Sequence, residues 1–223
     1  MNYIGIDIGS TCAKTVVLNE KKEIIQEFVQ PTGWSSVDTA EEIHQKLELA
    51  GISLSDDSSC CVATGYGRIS VPYADKAVTE ITCHALGAVH LFQHPDLTVI
   101  DIGGQDTKII QIEQGFVKDF IMNDKCAAGT GRFLEVMANT LSLRPNEMFD
   151  LARLGSDTTI SSMCTVFAES EVIGLIGKGE PKENIAYAVV NSTIRKVAAQ
   201  VSRMNGEMFT FCLTGGLCEC DYI

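Results

Sequence analysis

Short apolar runs separated by small or charged residues dominate both ends of the first strand-like region. The run "NYIGI" from Asn2 is followed by "TVVLN" from Thr15 and "EIIQEFVQ" from Glu23, with a turn at "EKK" before the last. The same order returns later as "LTVI" from Leu97, "IIQIE" from Ile109 and "FVKDFIM" from Phe116, with a turn at "QG". Each set predicts strand, tight turn, strand, turn, strand. Between and after the two sets the apolar spacing becomes helical. "SVDTAEEIHQKLELA" carries acidic residues in its first turn, "SCCVAT" reads as a buried strand, and "TEITCHALGAVHLF" reads as a helix. Four more helices are predicted in "GTGRFLEVMANTLSL", "PNEMFDLARLG", "VFAESEVIGLIGKG" and "PKENIAYAVVNSTIRKVAAQVSRM", with Pro145 and Pro181 at first-turn positions. "FTFCLTGG", Phe209 to Gly216, closes as a strand running into a glycine turn. The expectation is two related α/β domains, residues 1–95 and 96–223, divided near Gln93 to Asp96 and bounding a cleft.

The repeat is tightest where the first two strands meet. "DIGSTCAK" (Asp7 to Lys14) and "DIGGQDTK" (Asp101 to Lys108) share Asp, Ile, Gly and Lys without a gap, at an offset of 94. An Asp at a strand end, then glycine, then small residues suits a phosphate. Glycine lets the backbone approach closely, and successive N–H groups in a turn form an anion nest. Asp7 and Asp101 suit Mg²⁺, directly or through water, because Mg²⁺ favours carboxylate, water and phosphate oxygens. Gly9, Ser10, Thr11, Gly103, Gly104 and Gln105 are expected around the phosphates. Lys14 either reaches a phosphate or is an ordinary surface charge. Gly215 and Gly216 are expected to border the nucleoside. One D-x-G strand end alone is merely a turn; a gapless duplicate together with "LTGG" makes a nucleotide cleft the better reading. These residues resemble the superfamily of acetate kinase, sugar kinases, Hsp70 and actin. The resemblance implies a duplicated ribonuclease H-like fold that binds ATP, a fold shared by kinases, chaperones, filament proteins and switch ATPases.

Composition narrows the partners. The 223 residues carry a formal net charge of −12, which argues against nonspecific nucleic-acid or anionic-membrane binding. No apolar run approaches the roughly 18 residues a membrane span needs, and "MNYIGIDIGS" has no basic segment of a signal peptide. A cytoplasmic location is expected. Nine cysteines without a secretion signal speak against a disulfide framework. Cys12, Cys60, Cys61, Cys83 and Cys212 read as small buried hydrophobes. No C-x-x-C occurs, and "CEC" at Cys218 to Cys220 is too short for a zinc hairpin.

Cys126 and Cys164 stand apart, since each is expected directly before a helix. A helix N-terminus carries about half a positive charge and favours a thiolate. Both positions therefore suit a metal ligand or redox centre, against the plainer reading of two small residues at helix starts. Two thiolates are too few for a 4Fe–4S cluster, which takes four, and a symmetric dimer would double them.

The segments "GIDIGSTCAK", "ATGYGR", "DIGGQDTK", "NDKCAAGTGRFLEVMA" and "SSMCTVFAESEVI" together resemble the activators of 2-hydroxyacyl-CoA dehydratases, most of all the 2-hydroxyglutaryl type. These are the BadF/BadG/BcrA/BcrD-type ATPases, which include subunits of benzoyl-CoA reductases. The resemblance implies that Cys126 and Cys164 from two subunits ligate one bridging 4Fe–4S cluster, leaving Gly129 and Gly131 as helix-start and packing residues. It further implies ATP/ADP with Mg²⁺, a ferredoxin or flavodoxin as electron donor, and ATP-driven delivery of one electron to the dehydratase. Asp7 and Asp101 would be the catalytic pair. Glu169 and Glu171 are expected on a solvated helix face. Family members continue past the "TGG" motif, whereas this chain ends "LCECDYI", so a truncated second domain is expected. The alternatives are a small-molecule kinase of the same superfamily, a benzoyl-CoA reductase ATPase subunit, or a nucleotide-binding scaffold without turnover.

Overall fold

Strand β1 (Asn2–Ile8) buries Ile4, Ile6 and Ile8 and turns the residues between them outward. That period of two makes it the central strand of a sheet with one face on a core. It pairs antiparallel with β2 (Cys12–Leu18), which pairs antiparallel with β3 (Ile24–Pro31). Helix α1 (Ser36–Leu49) begins at Ser35, whose hydroxyl accepts from the Asp38 N–H at 3.2 Å. It buries Ala40, Ile43 and Leu47 against the sheet, and the chain returns parallel to β1 as β4 (Ser59–Thr64) and the two-residue β5 (Lys76–Ala77). The first sheet has the order β3-β2-β1-β4-β5.

After α2 (Glu80–Phe92), the plan repeats with β6 (Leu97–Ile102), β7 (Thr107–Glu113) and β8 (Phe116–Asn123). Four helices follow: α3 (Gly131–Thr140), α4 (Pro145–Ala152), α5 (Thr165–Gly177) and α6 (Lys182–Val201). Strand β9 (Thr210–Thr214) then pairs parallel to β6, giving the order β8-β7-β6-β9. Every residue from Thr107 to Ile112 is buried, as expected of a strand covered on both faces. The helices form a core of their own around Phe133, Leu134, Met137, Met148, Phe149 and Val189.

This computed structural model describes residues 1–54, 58–162, 164–204 and 210–222. Met163, Phe209 and Ile223, within stretches quoted above, lie outside them. The chain divides into two compact units, Met1–Gly87 and Ala88–Ile223, with the division inside α2. Among the described residues no helix is long and apolar enough to cross a membrane.

Two sequence expectations change. Helix α3 starts at Gly131 with Thr130 as its N-cap, so Cys126 lies upstream of the helix rather than directly at its start. Gly129 has φ +86°, a left-handed conformation incompatible with a helical turn. Glu171 is not simply solvated: its carboxylate accepts from the N–H groups of Ser161 (3.0 Å) and Ser162 (3.1 Å). Burial opposes its ionisation, but those N–H groups outweigh it and hold the carboxyl below its ordinary range. Glu169 likewise accepts from the Thr140 hydroxyl at 3.2 Å.

Candidate functional site

Strand pairing places an Asp and a Lys opposite each other at the end of both hairpins: Asp7 beside Lys14, and Asp101 beside Lys108. In the first unit the Lys14 Nζ lies 3.0 Å from Asp7, with the lysine side chain 53% exposed. Lys14 is therefore neither remote from the loop nor buried in it. In the second unit the lysine is buried. Lys108 Nζ contacts Asp106 at 2.7 Å and Asp101 at 3.3 Å, with every side chain at most 7% exposed. Asp101 also accepts from the Thr214 hydroxyl at 2.9 Å. Asp7 thus keeps solvent access for a cation, whereas Asp101 is tied to Lys108 and Thr214.

The turns themselves match. Gly9 N donates to Cys12 O at 3.1 Å, and Gly103 N donates to Asp106 O at 2.9 Å. Among the described residues, the N–H groups of Ser10, Thr11, Gly104 and Gln105 have no acceptor. Each loop therefore presents two adjacent free donors, the arrangement that binds a phosphate oxygen.

A second pair of turns extends the duplication. Thr64 lies beside Asp7 across β4, and Thr214 lies beside Asp101 across β9. Each threonine precedes a glycine of positive φ, Gly65 at +83° and Gly215 at +93°. A Cβ on Gly65 would meet Asp7 Oδ1 at 2.4 Å, and one on Gly215 would meet Ile102 O at 2.3 Å. These glycines let the turn close over the aspartate strand. The "TG" common to "ATGYGR" and "LTGG" was the available signal for Thr64, Gly65 and Thr214. Asp106 had none, since Cys12 occupies its place in the first copy.

Both special cysteines are exposed. Cys164 is the N-cap of α5, with no hydrogen bond from its side chain to the helix. Cys126 sits on a loop held by Asn123, whose Nδ2 donates to Cys126 O at 2.8 Å and Ala128 O at 3.1 Å. The buried Thr107 hydroxyl donates to Gly129 O at 2.6 Å. The loop then joins the Gly103–Gln105 turn directly: Gly131 N donates to Gly103 O at 3.0 Å and Arg132 N to Gly104 O at 2.7 Å. Those carbonyls face α3, away from the free donors of the same turn.

Of the other cysteines, Cys61 and Cys212 are buried, Cys12, Cys60, Cys83 and Cys220 are partly buried, and Cys218 is exposed, its thiol pushed up by burial and by Asp101. Burial, with Asp75 and Cys60 nearby, pushes the Cys61 thiol up to about 12, which makes it an inert core residue. No group of three or more His, Cys, Asp or Glu able to hold a metal occurs among the described residues.

Two like-ordered sheets, each ending in an Asp-Lys hairpin and a Thr-Gly turn, define a duplicated α/β fold of the ribonuclease H-like kind. A ROK family glucokinase from Streptomyces griseus shares this fold at a TM-score of 0.57 and 15% identity, over 98% of this chain and 84% of that one. The chain belongs to the BadF/BadG/BcrA/BcrD ATPase family, whose model matches residues 4–223. It is 43% identical over 221 residues to the (R)-2-hydroxyglutaryl-CoA dehydratase activating ATPase of Acidaminococcus fermentans, covering 97% of this chain and 83% of that protein. The crystal structure of that organism's dehydratase component A superposes with a TM-score of 0.89 at 40% identity, covering 100% and 85% of the two chains. The activator of 2-hydroxyisocaproyl-CoA dehydratase from Clostridium difficile, solved with bound ADPNP, gives a TM-score of 0.86 at 36% identity, covering 100% and 82%. The chain is thus homologous to dehydratase-activating ATPases.

Proposed function

We propose that this protein is an ATP-dependent one-electron donor that activates a 2-hydroxyacyl-CoA dehydratase, working as a cytoplasmic homodimer charged by a ferredoxin or flavodoxin. The observation that carries this reading is the direct backbone link between the second phosphate turn and the Cys126 loop. A nucleotide loop wired to an exposed cysteine is what an ATPase coupled to electron transfer requires and what a kinase does not.

The residues present fit the groups this reading needs. The exposed thiols of Cys126 and Cys164, with no complete metal site among the described residues, match half of a four-thiolate set. Cys126 and Cys164 from each of two copies would hold one 4Fe–4S cluster, which when bound supplies a one-electron carrier. The face of α5 beyond Cys164 favours a second copy as the other half. Val166 and Phe167 are each 67% exposed and Ile173 is 57% exposed, an apolar strip continuous with the cysteine.

For ATP and Mg²⁺, Ser10, Thr11, Gly104 and Gln105 would donate N–H groups to phosphate oxygens, with Gly9 and Gly103 allowing close approach. Asp7 would orient Mg²⁺ or its water, and Lys14 would turn from Asp7 to a phosphate. Asp101, fixed by Lys108 and Thr214, would position the attacking water, while Gly215 and Gly216 border the nucleoside. We assign these roles to two domains, residues 1–95 and 96–223. A shift of Gly103 and Gly104 on phosphate loss is carried through Gly131 and Arg132 to the Cys126 loop, which re-aims a cluster ligand.

Anaerobic reconstitution tests the reading. About four iron and four sulfide per dimer are expected, with an EPR signal after dithionite reduction that changes on ATP addition. A protein that stays colourless after reconstitution, or a Cys126→Ala variant that keeps its full iron, would sink it.

A further inference from the structure

The two cysteine segments share a cavity of about 270 Å³. One wall is Ala128 and Gly129, just after Cys126; another is Ser161 and Ser162, just before Cys164; the third is Arg195 and Lys196 on α6. The stem of Lys196 is pressed on the cysteine loop, since a Cβ on Gly129 would lie 2.8 Å from Lys196 Cγ. Gly129 is thus required twice over, for its positive φ and for this contact. Among the described residues neither Arg195 nor Lys196 has an ion-pair or hydrogen-bond partner. In a chain of net charge −12, two adjacent cations are left unpaired on the cavity that the two cysteine segments line. The carboxylate bonded to the Ser161–Ser162 wall, Glu171, is occupied by their N–H groups.

We propose that Arg195 and Lys196 are the charge-compensating residues of the cluster site, stabilising the reduced state through the cavity that both cysteine segments share. The inference rests on the reading of Cys126 and Cys164 as cluster ligands. A four-thiolate 4Fe–4S centre is a dianion when oxidised and a trianion after accepting one electron. Cations near a cluster favour the more negative form, and net charge around a cluster is one of the levers on its potential. Loading by an electron donor is thereby eased without any added ligand.

The experiment is an EPR-monitored redox titration of anaerobically reconstituted protein. Lys196→Met keeps the stem that packs on Gly129, and with Arg195→Met it removes the charge. In the double variant the ratio of reduced to oxidised cluster at a fixed potential should fall about tenfold, a midpoint lower by roughly 59 mV for one electron. Lys196→Arg and the first-turn control Lys182→Met should match the wild type. An unchanged midpoint in an iron-loaded double variant overturns the inference alone. Wild-type protein that binds no iron overturns the cluster reading and this inference with it. If the double variant loses iron, the single variants decide: each should shift the ratio by about threefold, and unshifted singles overturn the inference.

Discussion

Two lysines related by the repeat do different work because one is buried and the other is not. Lys108 stands between Asp101 and Asp106 with its side chain 4% exposed, so removing its charge strands two carboxylates away from water. Breaking a buried ion pair in this way costs about 3–5 kcal/mol. Lys14 pairs with Asp7 at the surface, where such a contact is worth below about 1 kcal/mol. Urea denaturation should therefore show a large loss of stability for Lys108→Met and almost none for Lys14→Met. Equal effects would contradict the difference in burial. The Asp-x-Gly turns were legible because their chemistry lies within eight consecutive residues. The triad was not, because Asp106 has Cys12 as its counterpart and nothing in the spacing reports burial. Cys126 was misplaced for a related reason: "AAGTG" follows it with small residues that read as a helix start. The backbone instead turns left-handed at Gly129 before the helix can begin.

At the scale of elements, the segment between β8 and α3 behaves as a tether rather than a linker. Its carbonyls at Cys126, Ala128 and Gly129 are each taken by a side chain, and its far end bonds to the turn at Gly103 and Gly104. The Thr107 hydroxyl is the deepest of these ties, on a residue with no exposed surface. Thr107→Val keeps the shape and leaves the Gly129 carbonyl without that donor, a penalty of about 1–3 kcal/mol. Hydrogen exchange of the amides in 127–131 should accelerate by about 5- to 150-fold while β6 and β7 keep their protection. Unchanged exchange in 127–131 would mean that the tether is held by its other bonds. Because this measurement needs neither iron nor nucleotide, it tests the mechanical link by itself. The strands and helices around the tether follow from hydrophobic period. The tether itself depends on Asn123 and Thr107 reaching across the chain, which period does not encode.

For the whole molecule, the duplicated sheet order was readable because each half repeats the same apolar sequence of strand, turn, strand, turn, strand. What the chain does with α3 to α6 was less so. Arg195 and Lys196 meet the Cys126 loop only because α6 packs on the helical core, some 70 residues along the chain. Under the proposed cluster reading a second copy completes the ligand set, and α5 offers a surface for it. Its exposed Val166, Phe167 and Ile173 cover no core of their own unit. Gly174 and Gly177 have open space beside them, allowing another helix to approach closely. Phe167→Glu places a charge in the middle of this strip, which a paired copy would have to bury or expel. Light scattering should give a dimer for reconstituted wild type and a monomer for the variant, and the variant should lose its iron while still binding nucleotide. A Phe167→Glu protein that stays dimeric with full iron would move the interface off α5. A monomer that retains its iron would instead require all the ligands from one chain. Loss of dimer and iron together, with nucleotide binding intact, is the outcome that joins the exposed thiols, the apolar strip and the missing ligands in one surface.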